Sequence, residues 1–147
     1  MIAVILSGGT ELLMGQIANT DAQYISRRLS ELGVTIYRHV TVGDNPARVK
    51  EALGEALSRA DIVITTGGLG PTEDDLTKEM VAEYFGLPME LHQPSLDEIY
   101  SYMTRLGRDM TPNNKKQAYF PASAHIMPNR KGTAPGCIVE EIGRAHV

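Results

Sequence analysis

One cysteine, Cys137, stands in a chain of 147 residues. A single thiol makes no internal disulfide and no thiolate metal site. It reads as a small buried hydrophobe rather than a nucleophile. Positive charge is also scarce: 14 Lys and Arg face 18 Asp and Glu, for a net charge of −4. No basic field is present to hold nucleic acid or an anionic membrane. Any grip on a phosphate is therefore local. No apolar run is long enough to cross a bilayer. The N-terminus enters a strand directly, without the charged n-region and apolar run of a signal peptide. These absences predict a cytoplasmic protein with a small-molecule partner, and neither nucleic acid nor membrane.

Three nucleotide and metal signatures are missing as well. No Lys-Ser or Lys-Thr follows a glycine loop, so a Walker A site is absent. The dinucleotide spacing G-x-G-x-x-G is absent, and so is H-E-x-x-H. The histidines His39, His92, His125 and His146 have no zinc-like spacing. No internal repeat or low-complexity tract occurs.

What is present is one domain of ordinary globular balance, 42% hydrophobic and 22% charged. Ile2 to Leu6 is apolar throughout, as a strand covered on both faces is. A loop, Ser7 to Glu11, follows. A helix is predicted from Thr20, with Thr20 and Gln23 as a capping box and Ala22, Ile25, Leu29 and Leu32 as its stripe. Val34 to Val42 is a second strand. Asn45-Pro46 opens a second helix with Val49, Leu53 and Leu57 inward. Ile62 to Thr66 is a third strand. A third helix carries Leu76, Met80, Val81 and Tyr84 and stops at Gly86. Ser95 and Glu98 form a second capping box before a fourth stripe. A short helix is expected near Thr111 to Ala118. Ala124 to Met127 and Cys137 to Glu140 read as short strands. The alternation predicts an α/β fold with a mainly parallel sheet and helices on both faces.

In such sheets ligands bind beyond the carboxyl ends of the strands. The loops there are Gly8-Gly9-Thr10-Glu11, Gly43-Asp44, and Gly67 to Asp75. Thr65-Thr66-Gly67-Gly68-Leu69-Gly70 ends a strand, and Glu73, Asp74 and Asp75 follow at once. Glycine amides crowd round an anion, and a helix start adds positive partial charge. Carboxylates beside an anion site make sense when a divalent cation lies between them. Each element has a plainer reading. Glycine pairs make tight turns, acidic residues suit a first helical turn, and Asp44 suits a helix cap. The carboxylates hold a hard cation or orient a water, and the residues alone leave both roles open. Asn114, Lys115, Lys116 and Gln117 offer donors for a phosphate or sugar, or else an exposed polar helix start.

These motifs carry a resemblance. Gly9-Thr10-Glu11-Leu12-Leu13-Met14-Gly15-Gln16-Ile17, Val42-Gly43-Asp44-Asn45 and Thr65 to Thr77 look like the N-terminal domain of the CinA (competence/damage-inducible protein) family. Thr111 to Ala118 and Gly132-Thr133-Ala134-Pro135-Gly136 match it too. That domain is similar to molybdopterin-binding proteins of the MoaB and MogA type. The resemblance implies a three-layer α/β/α sandwich and metal-dependent hydrolysis of ADP-ribose to AMP and ribose 5-phosphate. It implies a divalent metal (Mg, Mn or Co) on Asp44 and Asp75, with Asp74 and Lys116 also catalytic. Gly8, Gly9, Thr10, Glu11, Thr66, Gly67, Gly68 and Gly70 would bind phosphate, with Asn114 and Gln117 on the nucleotide. No tightly bound organic cofactor is expected, and relatives form homo-oligomers. The alternatives are a non-catalytic pterin or nucleotide module, or an assembly domain of a longer nicotinamide-nucleotide amidohydrolase. Leu69 stands where the pterin binders carry threonine, as in the CinA branch. The family continues with a Leu-Pro-Gly-Pro-Pro signature. Here residues 142–147 read instead as a sequencing-adaptor tail, so the expected domain is residues 1–141, C-terminally incomplete.

Overall fold

A computed structural model describes residues 1–140. The expected tail, residues 142–147, lies outside the described residues, as does residue 141. The chain runs β1 (Ile2–Gly8), α1 (Thr10–Leu13), α2 (Thr20–Glu31), β2 (Thr35–Val42), α3 (Pro46–Arg59) and β3 (Ile62–Thr66). It continues with α4 (Thr77–Phe85), β4 (Met89–Leu91), α5 (Gln93–Arg105), α6 (Pro112–Lys116), β5 (Tyr119–Pro121), β6 (His125–Met127) and β7 (Gly136–Ile138). No helix among the described residues is long and apolar enough to cross a membrane.

The main sheet has the order β2-β1-β3, and both pairings are parallel. β1 is the centre: Ala3, Val4 and Ile5 are 0% exposed and Leu6 is 3%. Each such aliphatic burial stabilises by about 1.5–3 kcal/mol. Successive β1 side chains point to opposite faces. Leu6 meets Leu53 of α3 and Val81 of α4 around a void of about 10 Å³, too small for a ligand. Ser7 turns the other way and accepts a 2.7 Å hydrogen bond from Asn19, just before α2. α3 packs on all three strands, α4 packs on α3, and α2 lies against β2. The result is helix, sheet, helix: the expected three layers with a parallel sheet.

The departures are local. The loop after β1 contains a helical turn, α1. α2 is capped by Asn19, whose Oδ1 accepts from the Ala22 amide at 3.1 Å, so Thr20 is the first helical residue and the predicted Thr20–Gln23 box does not form. The Ser95–Glu98 box is likewise absent. α5 starts earlier, with His92 Nδ1 accepting from the Ser95 amide at 3.3 Å. Pro94 explains the shift, because its fixed φ and missing N–H suit a first turn. The acidic run is not the first turn of α4, which begins at Thr77. β4 and β5 escape the pattern because three residues are too few for alternation to register. They pair antiparallel, as do β6 and β7. β7 starts at Gly136 and ends at Ile138, earlier than expected.

Asn19 thus serves two elements, the α2 cap and the β1 edge. Asn19→Ala is expected to cost about 1–2 kcal/mol in urea unfolding, the upper range for a lost cap. Thr20→Ala is expected to stay within about 0.5 kcal/mol, as a surface change does.

Candidate functional site

Order 2-1-3 makes the boundary between β1 and β3 the switch point, where connections leave in opposite directions. The carboxyl ends of all three strands meet there. The Gly9 amide donates to the Val42 carbonyl at 2.9 Å, which ties the end of β1 to the end of β2. On the other side Gly67 adopts φ 87° and Gly68 φ 68°. A methyl at Gly67 would land on the Gly8 carbonyl oxygen, and one at Gly68 on the Thr77 hydroxyl. Only glycine allows this approach of β3 to β1.

The start of α4 holds the loop by its carbonyls. Thr77 Oγ1 donates to Gly67 O at 2.8 Å, and the Thr77 amide donates to Gly68 O at 3.2 Å. The amides of Gly68 and Leu69 donate to no acceptor among the described residues. The glycine run is therefore both a tight turn and a source of unpaired donors.

Each predicted acid has a definite place. Asp44, exposed, faces Thr10: its Oδ2 accepts from the Thr10 hydroxyl at 3.0 Å and from the Thr10 amide at 3.4 Å. The Asp44 amide returns a 3.1 Å bond to the same hydroxyl. The Glu11 carboxylate lies over Gly9. Glu73 and Asp74 are exposed and make no hydrogen bond among the described residues. Asp75 closes its own loop. Its Oδ2 accepts from the Thr72 amide at 3.0 Å and the Thr72 hydroxyl at 2.6 Å, and its carboxylate abuts Gly70. Burial pushes the Asp75 carboxyl up, but the Thr72 and Gly70 hydrogen bonds and the Lys116 charge outweigh it and hold the group below its ordinary value. Among the described residues no three His, Cys, Asp or Glu side chains gather as a metal-binding group.

The α6 segment is less exposed than its composition implies. Asn114 Oδ1 accepts from the Thr111 amide and hydroxyl at 3.0 and 2.9 Å, completing a capping box. Gln117 is 1% exposed. Lys116 Nζ donates to Thr72 O at 2.7 Å and to Asp75 O at 2.5 Å. Its donors therefore anchor the acidic loop. Cys137 is half-buried, and burial pushes its thiol up against the lowering effect of Lys78, which keeps it protonated at neutral pH.

Three partners escaped the sequence reading. Thr72 had a signal, since Thr72-x-x-Asp75 is the spacing at which side chain and amide bond reciprocally. Thr77 lay inside the quoted motif without an assigned role. Asp21 accepts from Thr66 Oγ1 at 3.1 Å and brings a carboxylate to the α2 face of the same edge. Its position in a first helical turn hid it behind the dipole preference.

Comparisons with known proteins agree with this frame. Residues 4–147 match the model of a probable molybdopterin binding domain. A putative competence-damage inducible protein of Acetivibrio thermocellus is 58% identical over 98% of this chain. The chain spans only 35% of that relative's length. The crystal structure of the protein CinA from Thermoplasma acidophilum, of unknown function, superposes with TM-score 0.83 at 34% identity, covering 92% of this chain and 79% of the other. The molybdopterin biosynthesis enzyme MoaB of Thermus thermophilus gives TM-score 0.53 at 25% identity, over 56% of this chain and 53% of the other.

Gly67→Ala is expected to lose about 1–3 kcal/mol in chemical denaturation, because a side chain there is strained and has no room. Asp75 is expected to titrate below 3.8 by carboxyl NMR, and Thr72→Val to move the midpoint upward. The sign follows from the lowered value. Stabilisation from this carboxylate is complete above the ordinary aspartate range and is lost as pH falls through the depressed folded value.

With its switch-point glycine loop, parallel sheet and end-to-end match, the chain belongs to the family of probable molybdopterin binding domains, in its CinA-type branch.

Proposed function

We propose that this domain hydrolyses the pyrophosphate bond of a nucleotide, with ADP-ribose as substrate and AMP and ribose 5-phosphate as products. The observation that carries the reading is the unpaired amides of Gly68 and Leu69 at the sheet edge that also bears Asp44. Amides aimed at phosphate oxygens stabilise the charge that grows during attack.

The residues fit a divalent cation of the Mg²⁺ kind. Such a cation needs only one or two carboxylates, with water and substrate phosphates completing its shell. Asp44 would hold it, because the residue is exposed and Thr10 engages only Oδ2 of its carboxylate. When bound, the cation neutralises phosphate charge and acidifies water. Thr10 fixes the Asp44 carboxylate. Thr77 fixes the glycine turn by its carbonyls, leaving the amides to the substrate. Asp75 and Lys116 set the shape of the loop between Gly70 and Asp75, and Asp74 is the exposed carboxylate free to orient water.

The second reading, a module that binds a pterin or nucleotide without hydrolysis, is favoured by one observation: Oδ2 of the Asp75 carboxylate is already engaged by the amide and hydroxyl of Thr72.

Incubation of the protein with ADP-ribose and Mg²⁺, Mn²⁺ or Co²⁺ separates the two. AMP is expected to accumulate. Asp44→Asn is expected to lower kcat about 10²- to 10⁴-fold, the range of a lost acid–base or metal-orienting group, with the melting temperature retained. The full-length Acetivibrio thermocellus relative serves as a parallel control. No AMP from either protein with any metal, together with tight pterin binding, would overturn the hydrolase reading.

A further inference from the structure

A cavity of about 360 Å³ opens where α4, α6 and the β4–β5 pair meet. This is ligand-sized, within the roughly 300–1,000 Å³ of small-molecule pockets. Met89, Pro112 and Tyr119 give it an apolar wall, and Glu79, Lys115 and Lys116 give it charge. Lys116 joins it to the acidic loop, since this lining residue donates to the Thr72 and Asp75 carbonyls.

Glu79 is the unsatisfied group. Its side chain is only 27% exposed, yet its carboxylate accepts no hydrogen bond among the described residues. Lys116 Nζ stands 3.9 Å from Oε1, beyond hydrogen-bond reach, and Oε2 is buried without a donor. The adjacent Lys78 spends its ammonium on the Gln117 and Lys116 carbonyls instead. A mostly buried carboxylate without donors is costly. Its terminal torsion is soft, so a small rotation re-aims its oxygens at little cost. Lys115, exposed on the rim, pairs with no carboxylate among the described residues.

We propose that this cavity seats the base of the bound ligand, a flat fused-ring heterocycle with an amino edge. The ring lies on Tyr119 and Met89, and its amino group donates to Glu79. Its phosphate ester passes Lys115 and Lys116 toward Gly68. Stacking on an aromatic side chain tolerates any such ring, whereas the carboxylate demands a donor edge. Adenine and a pterin both meet that demand. The proposal rests on the reading that the glycine loop takes the ligand's phosphates.

The test uses the unmodified chain labelled at the methionine methyls, of which there are seven, with Met89→Leu to assign the Met89 signal. AMP is expected to shift the Met89 methyl. Glu79→Gln is expected to weaken AMP about tenfold, the scale of one hydrogen bond to a charged group, and to leave inorganic pyrophosphate within about twofold. A Met89 shift with 6-hydroxymethylpterin but not AMP supports the heterocycle seat, assigns it to a pterin and removes ADP-ribose as substrate. A Met89 methyl unmoved by either probe overturns the seat, as does a Glu79→Gln chain that binds AMP like the parent. Activity separates the two proposals. Raised KM at unchanged kcat in Glu79→Gln supports the seat. Unchanged KM with AMP still formed overturns the seat and spares the hydrolase. A Met89 shift without AMP formation supports the seat and removes the hydrolase.

Discussion

The contact between the Gly8 carbonyl and Gly67 is the constraint on which the site depends. β1 is sealed on both faces, so it cannot move to make room. β3 can therefore close against it only where a side chain is missing, and Gly67 supplies that place. The turn that follows then has its carbonyls claimed by Thr77, while the Gly68 and Leu69 amides find no acceptor among the described residues. The turn itself carries no basic side chain, and a net charge of −4 supplies no long-range positive field around it.

A second layer of constraint comes from the two lysines. Lys78 is 4% exposed, lies 4.3 Å from the Phe120 ring centroid and donates to the Gln117 carbonyl at 3.0 Å. Burial pushes its ammonium down, and the Glu79 charge opposes that. Lys116 reaches the other way, to the Thr72 and Asp75 carbonyls. Together they pin the end of α6 between α4 and the acidic loop. The segment Asn113 to Gln117 looks like a ligand-binding run because it is polar. Its Asn114 and Gln117 are buried, and its Lys116 is a strut while Lys115 stays exposed. Polar residues that hold backbone carbonyls and polar residues that hold a ligand have the same composition, so only their partners tell them apart.

That distinction separates what the residues revealed from what they hid. The apolar run Ala3 to Leu6, the Asn45-Pro46 helix start and the glycines after Thr66 each have one dominant physical reading, and the structure follows it. The caps of α2 and α5 were displaced because two candidates competed within three residues. Asn19 beat Thr20 by also serving Ser7, and Pro94 moved the start of α5 upstream. β4 and β5 pair with each other from either side of α5 and α6. Three-residue strands paired across that distance leave no periodic trace. At the site the glycine loop and Asp44 were legible because loops after parallel strands share an edge. Asp21 was not, because its partner Thr66 lies 45 positions away.

The two acids singled out first, Asp44 and Asp75, are both held by a threonine, but the consequences differ. Thr72 gives Asp75 two donors from one residue, the Gly70 amide adds a hydrogen bond and Lys116 adds a nearby positive charge, so the carboxylate is stabilised as an anion and spent on its own loop. A group so committed is a poor base, because hydrogen bonding to the charged form lowers its proton affinity. Thr10 likewise places its amide and hydroxyl on one oxygen of Asp44, but there the residue stays exposed. Asp75 belongs to the framework of the loop that follows the glycine turn, and Asp44 stays exposed beyond the carboxyl end of β2.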